Sequence, residues 1–256
     1  MLDQIISDAR ARADDLEGCG PMYRKASASL QPVQPFSAAL RGSGLSIVAE
    51  VKRRSPSRGV LAAGLDAVAQ AQIYESAGAD AVSVLTEPSH FDGSLDDLAM
   101  VRDAVSIPVL RKDFLLEPAQ VWEARAFGAD AVLLIVAVLG RERLGLMMDA
   151  AADAGVDALV EAHDEHEAEI AIEAGATLIG INNRDLKTFE TDLAVAERAA
   201  ELVVRPGITT VAESGIHDPG AAKRMESAGY DAILVGEALI VASDPAATVT
   251  RLIGRS

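Results

Sequence analysis

One short motif, repeated five times, constrains the fold of this chain more than any other feature. Its copies read AGADAVSVL, FGADAVLLIV, AGVDALVEA, AGATLIGIN and AGYDAILVG. In each copy a glycine follows an alanine-rich stretch of helical length and precedes an apolar run. A glycine just past a helix end, followed by a strand without polar alternation, predicts a helix, a tight turn and a strand buried on both faces.

Three further segments complete the set of predicted strands. They are LSIVAEVK, SIPVLRK and GITTVAES, and with the five repeats they give eight strands, beginning near residues 47, 80, 108, 130, 157, 177, 208 and 231. Eight βα units in a chain close to the typical length of about 250 residues favour an α/β fold, the closed (β/α)8 or TIM barrel. An open doubly wound sheet is the alternative, but no G-x-G-x-x-G follows the first strand.

The first 46 residues lie outside the repeat. We interpret residues 1–46 as an N-terminal helical extension of a single barrel domain that spans residues 1–256. The extension begins with an amphipathic segment whose apolar face carries Leu2, Ile5, Ile6, Ala9 and Ala13. Such a helix can plug the bottom of the barrel, or it can lie over the top face and contribute to a pocket; the sequence allows both placements.

The charge of the chain limits its partners. With 23 basic and 39 acidic residues the net charge is -16, which argues against nucleic acid or an anionic membrane surface as a partner. No apolar run reaches the roughly 18 residues of a membrane span, and the polar N-terminus does not read as a signal peptide. The single cysteine, Cys19, allows no disulfide framework. We expect a cytoplasmic monomer or weak oligomer that binds a small anionic molecule.

Charged residues stand at the predicted strand ends. Glu50 and Lys52 end strand 1, two residues apart and so on the same face, while Lys112, Glu161 and Glu213 end strands 3, 5 and 7. In this barrel class the active site lies at the carboxyl ends of the strands, and alternate strands share a layer of inward side chains. We therefore expect the five to converge, although outward-facing charges or ion pairs without chemistry are the simpler alternative.

Such a cluster favours proton transfer. Two lysines among three carboxylates should stay protonated, because opposite charge raises the pKa of a lysine above its usual value of about 10.4. A Schiff-base lysine needs the reverse, a pKa lowered by about 3. The residues therefore predict a lysine general acid rather than an aldolase nucleophile, with a glutamate moving a second proton.

The loop after strand 1 gathers positive charge on an otherwise acidic chain. Arg53, Arg54 and Arg58 surround a Ser-Pro-Ser turn. We expect this loop to attract an anionic substrate and to close over it, and Ser55 can add a hydroxyl contact.

An anion site is expected beyond strands 7 and 8. The segments ESGI and VGEA follow these strands, where barrels of this class commonly bind phosphate through backbone N–H groups. Gly215 and Gly236 allow close backbone approach, although simple packing is an alternative for Gly236. The carboxylate of Glu237 is expected to turn away from the phosphate.

Aromatic residues and histidines complete the candidates. Phe91 and Phe114 follow strands 2 and 3, where they can form an apolar wall for an aromatic substrate or pack in the core. No metal site is expected, because no metal-binding spacing is shared by the four histidines, which are His90, His163, His166 and His217.

Seven motifs carry a family resemblance. They are IVAEVKRRSPSRG, LTEPSHFDGS, PVLRKDF, LVEAH, IGINNRDL, VAESGI and ILVGEAL. In this order they resemble the indole-3-glycerol phosphate synthase family over essentially the whole chain. The resemblance implies a barrel enzyme without metal or organic cofactor that acts on a phosphorylated small molecule. It would convert 1-(2-carboxyphenylamino)-1-deoxyribulose 5-phosphate into indole-3-glycerol phosphate, carbon dioxide and water in tryptophan biosynthesis.

The resemblance also implies roles for individual residues. Lys112 looks like the general acid that protonates the ribulose carbonyl, and Glu161 resembles the second proton-transfer residue. Lys52 would contact anionic groups and move protons, and Glu50 would orient the lysines. By the same resemblance, Asn182 and Glu213 would be positioning groups, and Ser55 and Arg184 would contact the substrate. The phosphate would be surrounded by Ser214, Gly215, Gly236 and Glu237. The anthranilate ring would be surrounded by Phe91, Phe114 and Leu133.

The residues leave two alternatives to this function. Another phosphosugar barrel enzyme, an isomerase or aldolase, is disfavoured by lysines on strands 1 and 3 together with Glu161. A silent barrel that only binds a phosphorylated ligand or a partner protein is disfavoured because no lysine or glutamate of the cluster is missing.

Overall fold

Eight parallel strands close into a barrel, as the repeat predicts. The computed structural model describes residues 2–28 and 30–254. Its barrel strands are β1 Ser46–Val51, β2 Ala81–Leu85, β3 Val109–Lys112, β4 Ala131–Ile135, β5 Asp157–Ala162, β6 Leu178–Asn182, β7 Thr209–Glu213 and β8 Ala232–Val235. β1 pairs in parallel with both β2 and β8, so the sheet has no free edge. The (β/α)8 prediction is confirmed, and each predicted strand start agrees to within one residue.

Helices precede the barrel and alternate with its strands. Three precede β1: α1 Leu2–Asp14, α2 Gly20–Ser27 and α3 Phe36–Ala39. The others are α4 Ala67–Ser76, α5 Pro88–Phe91, α6 Leu95–Ala104, α7 Pro118–Ala126, α8 Val136–Ala154, α9 Glu165–Glu173, α10 Ala194–Val203, α11 Pro219–Ser227, α12 Glu237–Ile240 and α13 Pro245–Ile253. Within the described ranges, none of the helices combines the length and apolarity needed to cross a membrane.

Local sequence sets where these helices begin and end. Aspartate side chains accept backbone N–H groups at the starts of four helices; they are Asp66, Asp164, Asp218 and Asp244. The repeat glycines leave the helices with positive φ, and they are Gly78, Gly128, Gly155, Gly175 and Gly229. The tight turn predicted from the repeat is therefore the left-handed turn that glycine favours.

Strand side chains alternate between two apolar layers. Inward residues such as Val48, Leu110 and Leu159 form one cluster inside the barrel. Outward residues such as Ile47 and Val160 join the larger layer between sheet and helices. Because both faces are buried, the strands have the continuous apolar sequences seen in the repeat.

The N-terminal extension reaches both ends of the barrel. Its first helix lies at the carboxyl ends of the strands, where Leu2 and Ile5 line a pocket. Arg12 anchors that helix with Nη1 3.0 Å from Glu87 Oε1 and Nη2 2.7 Å from Asp113 Oδ1, just beyond β2 and β3. The top-face placement is therefore the one that α1 adopts.

The opposite end is closed by α3 and the residue after it. Phe36 and Leu40 are fully buried against the inward cluster. The amide of Ser37 donates to Asp157 Oδ2 (2.7 Å) at the start of β5, and Arg41 Nε donates to Thr209 Oγ1 (2.6 Å) at the start of β7. The barrel plug considered for α1 is thus supplied by residues 36–40.

Candidate active site

One pocket at the carboxyl ends of the strands collects the predicted site. All fifteen residues named from the sequence line it. Five stand at strand ends, namely Glu50 of β1, Lys112 of β3, Glu161 of β5, Asn182 of β6 and Glu213 of β7. The closed barrel is what brings these distant sequence positions together, because its strands end on a common rim.

Lys112 is the centre of a buried ion cluster. Its Nζ donates to Glu161 Oε2 at 2.7 Å and to Glu213 Oε2 at 2.9 Å. Lys52 Nζ donates to Glu50 Oε1 at 2.5 Å. These side chains form the layer from strands 1, 3, 5 and 7 that the sequence predicted, and they face one another rather than the surrounding helices.

The electrostatics separate the roles of the three central groups. Burial lowers the pKa of the Lys112 ammonium, but the carboxylates of Glu161 and Glu213 outweigh it and raise that pKa above its ordinary value. Burial likewise raises the pKa of Glu161, yet Lys112 and His163 overcome it and hold that pKa below its usual range. For Glu213 burial dominates and raises the pKa to about 8. The cluster therefore holds a charged lysine beside an ionised Glu161, and Glu213 is the carboxylate most ready to take up a proton.

Two glycines make room for these carboxylates. A Cβ on Gly180, inside β6, would lie 2.2 Å from Glu213 Oε1, and one on Gly236 would lie 2.4 Å from Glu50 Oε1. Neither position can carry a side chain without moving a carboxylate. Gly180 was not predicted as a site residue, although a glycine inside a strand signals close approach of another group.

His163 is the second residue that the sequence reasoning missed. The sequence groups it only with the loop histidines that share no metal-binding spacing. In the structure His163 Nε2 lies 3.2 Å from Glu161 Oε1, and Nδ1 lies 3.0 Å from Glu167 Oε2. The signal was present, because residues 161 and 163 are two apart at a strand end and so share a face.

The expected anion site has an unusual backbone. Ser214 and Gly215 both have left-handed conformations, with φ of 62° and 77°. A serine in this region is uncommon, and such residues cluster at functional sites. Asn183 Nδ2 fixes the turn by donating to the carbonyls of Glu213 (3.0 Å) and Ser214 (3.2 Å).

Arginines at the rim are already paired with acids. Arg53 donates to both carboxylate oxygens of Asp97 on α6, at 2.6 and 2.9 Å. The expectation that the whole loop offers its charge to a substrate is therefore wrong for Arg53. Arg58 Nη2 lies 2.9 Å from Glu237 Oε1, and Arg184 Nη2 lies 3.8 Å from Glu237 Oε2. The Glu237 carboxylate is thus engaged by arginines at the pocket rim.

The other side of the pocket is apolar. The rings of Phe91 and Phe114 lie 6.4 Å apart between centroids and are tilted by 38°. Both are half-buried and line the pocket with Leu133, so they form a wall rather than disappearing into the core. Glu87 orients this wall, because its carboxylate accepts the amides at the start of α5, including that of Phe91 at 3.1 Å.

Metal binding finds no support in residues 2–28 and 30–254. This part of the chain holds no group of three or more His, Cys, Asp or Glu side chains arranged around a possible ion.

Comparisons with a family model and with known relatives identify the same family. The family model described as indole-3-glycerol phosphate synthase matches residues 2–252. An indole-3-glycerol phosphate synthase of Streptomyces griseus subsp. griseus is 46% identical over 255 residues, covering 99% of this chain and 94% of the relative. One from Parafrankia sp. is 52% identical over 216 residues, 84% of this chain and 80% of the relative.

Solved structures of lower similarity share the fold alone. The 3-hexulose-6-phosphate synthase of Salmonella typhimurium superposes with a TM-score of 0.67 at 15% identity, covering 82% of this chain and 97% of that one. The thiamine phosphate pyrophosphorylase of Pyrococcus furiosus gives a TM-score of 0.61 at 19% identity, covering 83% and 95%.

Proposed function

The chain belongs to the indole-3-glycerol phosphate synthase family, and we propose that its pocket residues perform that family's reaction by lysine and glutamate acid–base catalysis. The enzyme is a carboxy-lyase of tryptophan biosynthesis. It closes the ring of 1-(2-carboxyphenylamino)-1-deoxyribulose 5-phosphate, with loss of carbon dioxide and water, to give indole-3-glycerol phosphate. The assignment of steps to residues below is the proposal.

Lys112 is the general acid in this scheme. As the aryl carbon attacks the ribulose carbonyl, the carbonyl oxygen gains negative charge and needs a proton. The Lys112 ammonium carries one, and its carboxylate partners keep it charged until the substrate arrives. The same electrostatics oppose a Schiff-base role, which requires a neutral amine.

Glu161 takes the second proton. It is ionised and 2% exposed, so it is a desolvated carboxylate facing the reacting centre. Once Lys112 has given up its proton, its share of the attraction that holds the pKa of Glu161 low is removed, and the carboxylate becomes a stronger base for the dehydration step. Lys52, oriented by Glu50, contacts the substrate carboxylate and moves protons there.

Glu213 and Asn182 position the substrate. Among the described residues, Glu213 Oε1 is buried and has no hydrogen-bond partner. A buried oxygen without a partner can accept a hydrogen bond from a substrate hydroxyl. The aromatic wall of Phe91, Phe114 and Leu133 receives the anthranilate ring.

The phosphate lies at the opposite end of the pocket from that wall. Backbone groups of Ser214, Gly215, Gly236 and Glu237 surround it, and Ser55 and Arg184 add polar contacts. Glu237 is tolerated there because Arg58 neutralises its carboxylate.

The remaining parts of the proposal concern the setting of the enzyme. We propose a cytoplasmic monomer or weak oligomer without cofactor. A lone cysteine suits a reducing compartment, and the exposed large apolar side chains belong to different helices and loops. Light scattering behind a sizing column at micromolar concentration measures the mass, and a stable tetramer would contradict this part.

The observation that carries the proposal is Lys112 held charged between two buried carboxylates at the barrel mouth. Its test is to mix the enzyme with the carboxyphenylamino-deoxyribulose phosphate and follow indole fluorescence. Lys112→Ala should lose at least about a thousandfold in kcat, within the range of general acid catalysis, while phosphate binding changes less than about threefold. Lys223→Ala, at an exposed lysine of α11, is the matched control.

The outcomes separate the alternatives. Ligand binding without product by the unaltered protein would favour the silent barrel. An equal loss of turnover and phosphate binding in Lys112→Ala would show that Lys112 is mainly a binding residue.

A further inference from the structure

His163 stands directly behind the proposed proton-transfer carboxylate. We infer that His163, held in place by Glu167, is a positioning residue that fixes the Glu161 carboxylate for proton transfer. The inference rests on the proposed function of Glu161 and assigns a role to a side chain that the mechanism above does not use.

The geometry is a chain of three side chains. His163 lies between β5 and α9, and its imidazole is 10% exposed. Glu167 Oε2 approaches Nδ1 at 3.0 Å and also accepts the backbone N–H of His163 at 2.8 Å, so the ring is fixed from two directions. The other ring nitrogen, Nε2, faces Glu161 Oε1 at 3.2 Å.

A protonated imidazole suits this arrangement best, because a carboxylate faces each ring nitrogen. A neutral ring has one N–H, so it would turn a lone pair toward one of the two carboxylates, whereas the cation donates from both nitrogens. Burial lowers the pKa of His163, but Glu161 and Glu167 outweigh burial and raise it to about 10. The Nε2 contact falls short of an aligned hydrogen bond, and Nε2 has no other acceptor in the described chain.

Glu161 is thus held by a cation on each oxygen. Lys112 takes Oε2 at 2.7 Å from β3, and His163 takes Oε1. The other charged or titratable groups facing this pair are Glu213 from β7 and Glu167 from α9. When Lys112 gives its proton to the substrate, it no longer holds Oε2 by charge, while His163 still holds Oε1. The carboxylate then keeps its orientation with Oε2 free to accept a proton.

Three variants and one spectrum test this role. His163→Gln keeps a donor near Glu161 but removes the charge. Glu167→Gln keeps an acceptor for Nδ1 but removes the negative charge that favours the imidazolium. His166→Gln, at an exposed histidine of α9, is the matched control. The readouts are kcat and KM for the carboxyphenylamino-deoxyribulose phosphate between pH 6 and 10, and the imidazole ¹⁵N shifts of the unaltered enzyme.

The expected results separate positioning from simple stability. His163→Gln should lower kcat about tenfold to a hundredfold, the usual effect of a misplaced catalytic group, with KM changed less than about threefold. Glu167→Gln should move the alkaline limb of kcat to lower pH by about one unit or more, because the His163 cation loses a partner. His166→Gln should match the unaltered enzyme. The ¹⁵N spectrum should show both His163 nitrogens protonated at pH 8.

Several results would overturn the inference. A neutral His163 at pH 8 would do so, and this readout does not depend on activity. So would a folded His163→Gln enzyme with unchanged kcat and pH profile, even if its Tm were lower. If the unaltered enzyme formed no product, the proposed function would be refuted instead. The ¹⁵N spectrum does not test that function.

Discussion

Replacing Gly236 by alanine should disable the Lys52–Glu50 pair by contact alone. The new Cβ would lie 2.4 Å from Glu50 Oε1 and 3.1 Å from Glu50 Cβ. Gly236 has φ -122° and ψ -66°, so its φ lies outside the left-handed region that favours glycine, and the predicted effect is the steric contact of the new Cβ. The clash falls on the oxygen that accepts from Lys52 Nζ at 2.5 Å.

The magnitude follows from the distance the oxygen must move. An ordinary carbon–oxygen contact is about 3.4 Å, so Oε1 must shift by about 1 Å, and the Nζ–Oε1 separation becomes about 3.5 Å. With an effective dielectric constant of about 20, the attraction falls from about 6.6 to about 4.7 kcal/mol. The loss of about 2 kcal/mol corresponds to about thirtyfold in kcat/KM if the pair orients Lys52 in the transition state. Crowding should also cost about 1–3 kcal/mol of stability.

The assay is the initial rate of indole-3-glycerol phosphate formation by fluorescence, with Tm measured in parallel. Gly145→Ala in α8 is the matched control, because a Cβ there meets no atom within 4 Å. It should keep full activity and gain about 0.5–1 kcal/mol of stability from helix propensity. A Gly236→Ala enzyme with kcat/KM within twofold of the unaltered enzyme would refute the reasoning, because the pair would then have no part in turnover.

Three further changes test other contacts. Gly180→Ala places a Cβ 2.2 Å from Glu213 Oε1 and should lower kcat at least about tenfold in steady-state assays; unchanged kcat would show that the position of Glu213 is unimportant. Glu237→Gln removes a negative charge beside the proposed phosphate site, so the Kd for inorganic phosphate should fall about threefold to tenfold by calorimetry, and a weaker affinity would argue against a phosphate there. Arg12→Ala removes one cation from Glu87 and Asp113, although Asp113 keeps Arg111 Nη2 at 3.2 Å. The loss of these charge-assisted hydrogen bonds should cost about 2 kcal/mol, seen as a Tm lower by about 4–8 °C; an unchanged Tm would mean that α1 is anchored by other contacts.

The barrel was predictable because its signals are local. A glycine after each helix and an apolar run after each glycine fix strand and helix positions without reference to the rest of the chain. The five charged strand ends were predictable for a related reason. Once eight parallel strands close into a barrel, the residues at their carboxyl ends must lie around one opening. Because buried charge is costly, charged residues at these positions indicate a function.

The contacts that were missed depend on geometry that no local pattern encodes. An amphipathic face shows that α1 packs on something, but not at which end of the barrel, and the plug at Phe36 and Leu40 has no helical period long enough to detect. The pairing of Arg53 with Asp97 depends on how the loop folds back over α6. His163 required knowing which way its ring turns, since residue spacing gives a shared face but not a partner.

The plug also has a consequence for the order in which the molecule can assemble. The segment at residues 36–41 is synthesised before every barrel strand, yet its partners Asp157 and Thr209 lie 120 and 168 residues later. During translation the hydrogen-bond partners of this segment are therefore missing until β5 and β7 have left the ribosome. Contacts of such separation carry a large loop-closure cost and slow folding. The bottom of the barrel is accordingly sealed late, by one of the earliest segments to be made.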